Sequence, residues 1–417
     1  MLFYISRQKR QLLEKGLLLF VFIIFPFITY SQNAGNALSE NNIVRDTSKQ
    51  TDLIDIAKRI LKIQPKTIEE ERNKKVYFSI LPISTEIPGG GNALITATTA
   101  GFYLGDRDST YLSSATFTPY WNFKKRFGLP LRTNIWLKNN SWNIKGDTRF
   151  MVYPQYTWGL GGGQPASEKV MVDYNYIRFY QSALKRFKSY FYAGIGYSLD
   201  YFQNIHTDGP GLAQFTGYEY GTSEGGNSFS SGITLNFLYD TRNNDFNPIP
   251  GSYANLIYRV NSTFLGSNST WRSVYVDVRK YISLAKKPRQ QNVVAIWSYF
   301  WTALDNDVPY LNLPTIGMDP SNRSGRGIEQ NRYRGKSLFY LESEYRRDIT
   351  QNGLFGFVAF ASINSVTEEN NKFEHINPAL GAGLRVKFNK GSNTNVAIDY
   401  GLSKGYSGIS VSLGEAF

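Results

Sequence analysis

From Val76 onward the side chains alternate with a period of two, and the two rows differ chemically. In residues 191–200 the odd positions are apolar or aromatic, while the even ones are mostly Gly, Ser or Asp. The pattern recurs in residues 254–261, 382–388 and 396–400, where Arg259, Arg385, Lys387 and Asp399 stand on the polar row. A period of two makes each segment a strand with one greasy and one wet face. A soluble sandwich also has an apolar face, but its strands would not carry Arg, Lys, Asp or Gly opposite that face so persistently. An antiparallel membrane barrel accounts for both rows, because lipid takes one and a polar lumen the other. Closure also pairs the backbone amides and carbonyls, which hydrocarbon would otherwise leave unsatisfied. The expected fold is all-β: a transmembrane antiparallel β-barrel.

Other architectures are excluded by composition. Charged residues are 19% of the 417. Beyond the first thirty or so residues, no apolar run nears the roughly 20 that a membrane-spanning helix needs. Cys is 0, which removes disulfides, cysteine zinc sites and thiol catalysis. The formal charge is +13. It is dispersed in short runs such as Lys286-Lys287-Pro288-Arg289, unlike the continuous stripe of a nucleic-acid groove, so no nucleic-acid partner is expected.

The N-terminus reads as an address. Arg7, Lys9, Arg10 and Lys15 precede an apolar stretch over 16–29, and small Thr29 and Ser31 follow in the positions a signal peptidase reads. Export and cleavage after Ser31 are expected. Residues 32–75 form a polar segment in which Leu53, Ile56, Ala57, Ile60 and Leu61 recur at helical spacing, predicting a short amphipathic helix over 51–64 capped by Thr51. Such a helix fits a barrel mouth, a membrane surface or a linker equally well. The barrel is assigned to 76–417.

Candidate strands begin near residues 76, 94, 111, 131, 141, 169, 188, 227, 252, 271, 292, 337, 354, 379, 394 and 408, or about sixteen, within the even-numbered range of bacterial barrels. Short connectors are read at 105–110, 139–140, 183–187 and 390–393, and long ones at 155–168, 203–226, 303–335 and 364–378. Short periplasmic turns and long external loops would give that asymmetry.

Three segments resemble the barrel domain of the BamA and TamA superfamily, also called bacterial surface antigens. Tyr239-Asp240-Thr241-Arg242, with Pro248 and Gly251 following, is similar to the family's turn. Gly325-Arg326-Gly327-Ile328, late in the long loop before the twelfth strand, resembles its loop motif, continued by Arg332-Tyr333-Arg334-Gly335. Val411, Leu413, Gly414 and Phe417 resemble the C-terminal signal read when a barrel is itself inserted. The resemblance covers residues 76–417. It implies a role in assembly, insertion or translocation of outer-membrane proteins, in the outer membrane of a Gram-negative bacterium.

An arginine on a loop folded into a polar lumen needs a carboxylate partner, since an unpaired buried guanidinium is costly. Glu342 and Glu344 share one parity on the twelfth strand, and Asp399 faces the same way on the fifteenth. Glu344 is the preferred partner because it falls where the family's strand-twelve acid does. A planar guanidinium favours such a pairing. Where relatives often carry a second acid on strand thirteen, this chain has Ala361-Ser362-Ile363-Asn364, which predicts a weaker pairing. Glycines near the barrel's ends, Gly89, Gly90 and Gly91 and then Gly401, Gly405 and Gly408, either loosen the seam between first and last strands or give ordinary loop flexibility.

Relatives that fold other barrels carry periplasmic POTRA modules. Only about 44 residues separate Ser31 from Val76, fewer than the roughly 50 of a compact domain. The modules' docking functions would then fall to another chain. Expected partners are outer-membrane lipid, unfolded outer-membrane proteins and a separate periplasmic or surface subunit. A dedicated translocation barrel or passive pore for a single partner is the alternative. An outer-membrane hydrolase ranks last, because His206 and His375 both fall in external loops. No enzyme activity, cofactor or metal is expected.

Overall fold

The computed structural model describes residues 50–63, 76–87, 91–123, 126–242, 244–285 and 291–417. The proposed signal peptide, the glycines before Gly91 and the basic run at 286–289 lie outside these residues.

Nineteen strand segments form one antiparallel sheet. They are β1 (Val76–Ile87), β2 (Gly91–Phe102), β3 (Ser113–Phe117), β4 (Tyr120–Trp121), β5 (Phe127–Gly128), β6 (Leu131–Trp136), β7 (Trp142–Val152), β8 (Gln155–Thr157), β9 (Val170–Lys188) and β10 (Phe191–Thr207). They continue with β11 (Gly226–Asp240), β12 (Gly251–Asn261), β13 (Trp271–Ser283), β14 (Asn292–Ala303), β15 (Ser337–Asp348), β16 (Phe355–Val366), β17 (Asn377–Asn389), β18 (Thr394–Ser403) and β19 (Tyr406–Leu413).

Three prolines reconcile nineteen segments with sixteen wall strands. Pro119 separates β3 from β4, Pro130 separates β5 from β6, and Pro154 separates β7 from β8. Proline cannot donate to a ladder, so each interrupts a strand that then resumes. Both halves keep the same neighbours: β3 and β4 pair with β2, and β7 and β8 pair with β9. Merging each pair leaves sixteen, with β15 as the twelfth. One expected connector is absent, since residues 183–187 continue β9 and the turn falls at 189–190.

The two rows of the sequence become two faces. Outward, Phe179, Ile195, Ile233, Leu235, Phe237, Leu384 and Ile398 stand exposed in an apolar band. Inward, arginines pair with acids two residues earlier on the same strand face: Arg149 with Asp147, Arg279 with Asp277 and Arg346 with Glu344. Positions i and i+2 share a face, so a long guanidinium stem folds back onto its neighbour.

The sheet's two ends do not pair. Among the described residues no ladder joins β1 to β19; β1 pairs with β2 and β19 with β18. Leu81 and Ala97, on the inward row of β1 and β2, instead pack with Val396, Val411 and Leu413, on the outward row of β18 and β19. The seam is an apolar contact between side chains, with backbone groups of both edge strands left outside any shared ladder.

The N-terminal helix α1 (Leu53–Ile60) is shorter than expected and is capped by Asp52, not Thr51. The Asp52 carboxylate accepts from Asp55 N at 2.7 Å, and the Asp55 carboxylate accepts from Asp52 N at 3.3 Å. This reciprocal arrangement satisfies two otherwise orphaned donors, which a Thr51 cap one residue earlier could not do in this register. Lys390, in the β17–β18 turn, donates its N–H to Asp52 at 2.8 Å and its ammonium to Asp55 at 2.7 Å. Leu53 packs against the cluster of Ala97, Val396 and Leu413, which Val386 and Phe388 also border, and this fixes the helix at the short-turn rim.

Candidate functional site: the loop and tail inside the barrel

The segment 304–336, between β14 and β15, folds into the lumen. Its turn is built on Asp319, fully buried, whose carboxylate accepts from the backbone N–H of Ser321 at 3.0 Å and of Ser324 at 2.9 Å. Across the lumen the turn meets the β6–β7 wall, where Arg132 donates to the Ser321 carbonyl at 2.7 Å.

Two glycines shape the tip. Gly325 and Gly327 have φ of +78° and +83°, a region that costs most other residues strain. Gly327 also lies directly on the backbone of Gly401 in β18, leaving no room for a Cβ on either residue. Gly401 therefore serves close approach of the loop, a different role from loosening the seam. Gly405 has φ +78° in the open β18–β19 turn, and Gly408 lies within β19 beside Tyr406.

This seating places Arg326 among three carboxylates. One guanidinium nitrogen donates to Glu342 and Glu344, and the other to Asp399 Oδ2 at 2.9 Å. Glu344 is thus one partner of three. On β16, the strand on which no second acid was read, the Phe360 ring centre lies 3.7 Å from the Arg326 guanidinium carbon. An aromatic face holds a cation without adding a fourth negative charge to that wall. Ile328 is buried beside Tyr340 and Trp297 in the lumen's aromatic cluster.

The network extends to the chain's last residues. Gly414, at φ +84°, turns the backbone out of β19, so the strand alternation through Val411 and Leu413 ends there. Glu415 accepts from Arg385 Nε at 2.7 Å and from Asn395 at 2.7 Å. Arg385 also donates to Asp399 at 2.6 Å, linking the tail to Arg326. Phe417, expected as the terminal aromatic of an alternating strand, is instead 3% exposed inside the barrel against Tyr281 and Trp297. Its carbonyl accepts from Arg346 at 2.9 Å. From the loop, Arg323 donates to the carbonyls of Glu415 at 2.6 Å and Leu413 at 2.9 Å. Three guanidinium groups, Arg326, Arg346 and Arg385, thus pair with four carboxylates, Glu342, Glu344, Asp399 and Glu415, while Arg323 is held beside them by main-chain carbonyls. Burial of so many charges is tolerable only because they compensate one another.

The third motif closes the lower end. Arg242 donates to both Asp240 oxygens, at 2.9 and 2.7 Å, and pairs with Asp245 at 2.9 Å. Its guanidinium carbon lies 4.2 Å from the Tyr253 ring centre. Thr241 Oγ accepts from Ser252 N at 2.9 Å, and Gly251 lies against the Arg242 backbone. Tyr239 faces outward and packs on Phe191, while Pro248 is buried in the turn. Phe246 of this turn accepts from Glu415 N at 2.8 Å. Loop, turn and tail, far apart in sequence, therefore converge in one lumenal network.

Sequence reasoning missed Arg323, Arg385 and Glu415, although the acid-x-Arg spacing on β7, β13 and β15 was a legible sign of inward pairing. His206, expected in a loop, instead lies at the exposed end of β10, paired with Asp173 of β9 and with its ring against Glu224 at 3.1 Å, while His375 sits in the β16–β17 loop against Glu368 at 3.0 Å.

Residues 89–417 match the family model of the Omp85 superfamily domain. No curated protein matches the sequence. Among solved structures, the fold is similar to BamA from Haemophilus ducreyi lacking POTRA domains 1–3, with 13% identity over 81% of this chain and 70% of that one and a TM-score of 0.50. It is also similar to CdiB from Acinetobacter baumannii (13% identity, 81% and 60% covered, TM-score 0.52) and CdiB from Escherichia coli (11%, 84% and 62%, 0.51). At these identities the likeness is one of fold, and the chain spans 60% to 70% of the length of these proteins.

Proposed function

Because the chain belongs to the Omp85 superfamily, we propose that it is an outer-membrane barrel that assembles, inserts or translocates other outer-membrane proteins. In this reading residues 1–31 direct export and are removed, 32–75 lead into the barrel, and the short turns face the periplasm. No POTRA module is evident among the described residues, and in this reading a separate subunit gathers clients. The role is non-enzymatic.

The observation that carries the reading is the seam. An unpaired edge strand is a template for another strand. Here β1 and β19 each offer such an edge and meet through apolar side chains, with no ladder between them among the described residues. Parting them breaks no shared ladder, and an incoming strand satisfies the backbone groups it meets.

A translocation role for one dedicated partner draws on a second observation. A cavity of about 390 Å³ remains between the inward loop and the opposite wall, with Lys145, Arg178, Asp200, Arg259 and Asp277 among its lining residues. Depletion of the protein followed by quantitative outer-membrane proteomics separates the readings. A broad fall in other barrels is expected. Loss of a single client would favour the dedicated role, and altered small-solute uptake alone would favour a pore.

A further inference from the structure

The helix α1 presents an apolar stripe that the barrel covers at one end only. Leu53 is packed against the cluster of Ala97, Val396 and Leu413, which Val386 and Phe388, at the lower edge of the outward wall of β17, also border. Ile60, on the same helical face two turns later, is 74% exposed, and Leu61 and Ile63 are 68% and 53% exposed. Higher on the same wall, Leu380, Leu384 and Ile398 belong to the exposed apolar band. The stripe therefore begins on the barrel and continues past it, at the level where that band ends.

Charge is distributed along the helix to match. Both acids, Asp52 and Asp55, are engaged by Lys390 at the docked end. Beyond Asp55, residues 56–63 hold no acid; Lys58 and Arg59 lie across the helix from the stripe, Lys62 follows the helix end at φ +55°, and Arg59 and Lys62 are exposed. An apolar stripe backed by cations suits the boundary between acyl chains and anionic headgroups. The order of acids first and cations last also complements the helix dipole, so it is the exposed apolar stripe beside those cations that points to lipid.

We propose that α1 lies in the membrane interface at the short-turn rim, with Ile60, Leu61 and Ile63 among the acyl chains and Arg59 and Lys62 on the phosphates of anionic phospholipid. Docked through Asp52, Asp55 and Leu53 beside the seam, the helix ties the bilayer to the strands that bound it. This assignment does not depend on which clients the barrel serves.

The absence of cysteine makes the test direct. Full-length protein carrying Ile60→Cys or Arg59→Cys is labelled with bimane and reconstituted into vesicles of phosphatidylethanolamine and phosphatidylglycerol with brominated acyl chains. Heat-modifiability on gels checks that each variant is folded. The label at position 60 is expected to be quenched several-fold more than that at 59. Replacing phosphatidylglycerol with phosphatidylcholine should reduce quenching at 60, and Arg59→Gln with Lys62→Gln should abolish this dependence on lipid charge. Equal quenching at the two positions, indifference to lipid charge, or protection at 60 only on adding another protein would each overturn the proposal.

Discussion

Arg326 touches Glu342, Glu344 and Asp399 at once, so replacing it by alanine leaves buried Glu342 without a cation and Glu344 and Asp399 with only Arg346 and Arg385. Breaking a buried pair by removing one partner typically costs about 3–5 kcal/mol. Arg326→Ala should therefore lower the temperature at which the folded band converts to the unfolded one on gels. Arg326→Lys should rescue poorly, because a point charge cannot span three acceptors as a fork does. Unchanged heat-modifiability in Arg326→Ala would contradict the assignment. Strand parity placed Glu342, Glu344 and Asp399 on the inward face from sequence alone. It did not place them at one height, because height depends on the register between β15 and β18, which lie three strands apart in the wall. The choice of Glu344 over its neighbours was for that reason too narrow. Phe360 was hidden for a related cause: an inward aromatic looks like an ordinary core residue until the cation above it is known.

At the scale of elements, the last four residues act as a strap from β19 to the inward loop. Deleting 414–417 removes one acceptor each from Arg323 and Arg346, the partner of Arg385, and the ring that packs on Trp297. The expected outcome is that residues 319–332 become sensitive to protease in folded barrels while the wall strands stay protected. A loop as resistant as in the intact chain would show that the strap does not hold it. Most wall strands were legible because alternation is a local signal. The exceptions had local causes as well. Pro119, Pro130 and Pro154 split strands that carry on beyond them, and at 183–187 basic residues near a strand end resembled a turn. The cap of α1 was readable in the Asp52 and Asp55 spacing, yet Thr51 stood one residue earlier with an equally acceptable side chain. The fate of the tail was not readable, since nothing within 411–417 other than Gly414 signals departure from the wall.

For the whole molecule, the account is of a sixteen-strand wall whose interior is filled by compensated charge and whose ends meet without a ladder. The stiff lumenal network and the weak seam are connected, because Arg323 grips the very strand, β19, whose edge would part. Paired cysteines bridging β1 to β19 test this most directly in a chain that has none of its own. With the reconstituted barrel and an unfolded outer-membrane protein as client, the oxidised bridge should abolish insertion and a reducing agent should restore it. Undiminished insertion through a fully bridged seam would contradict the account.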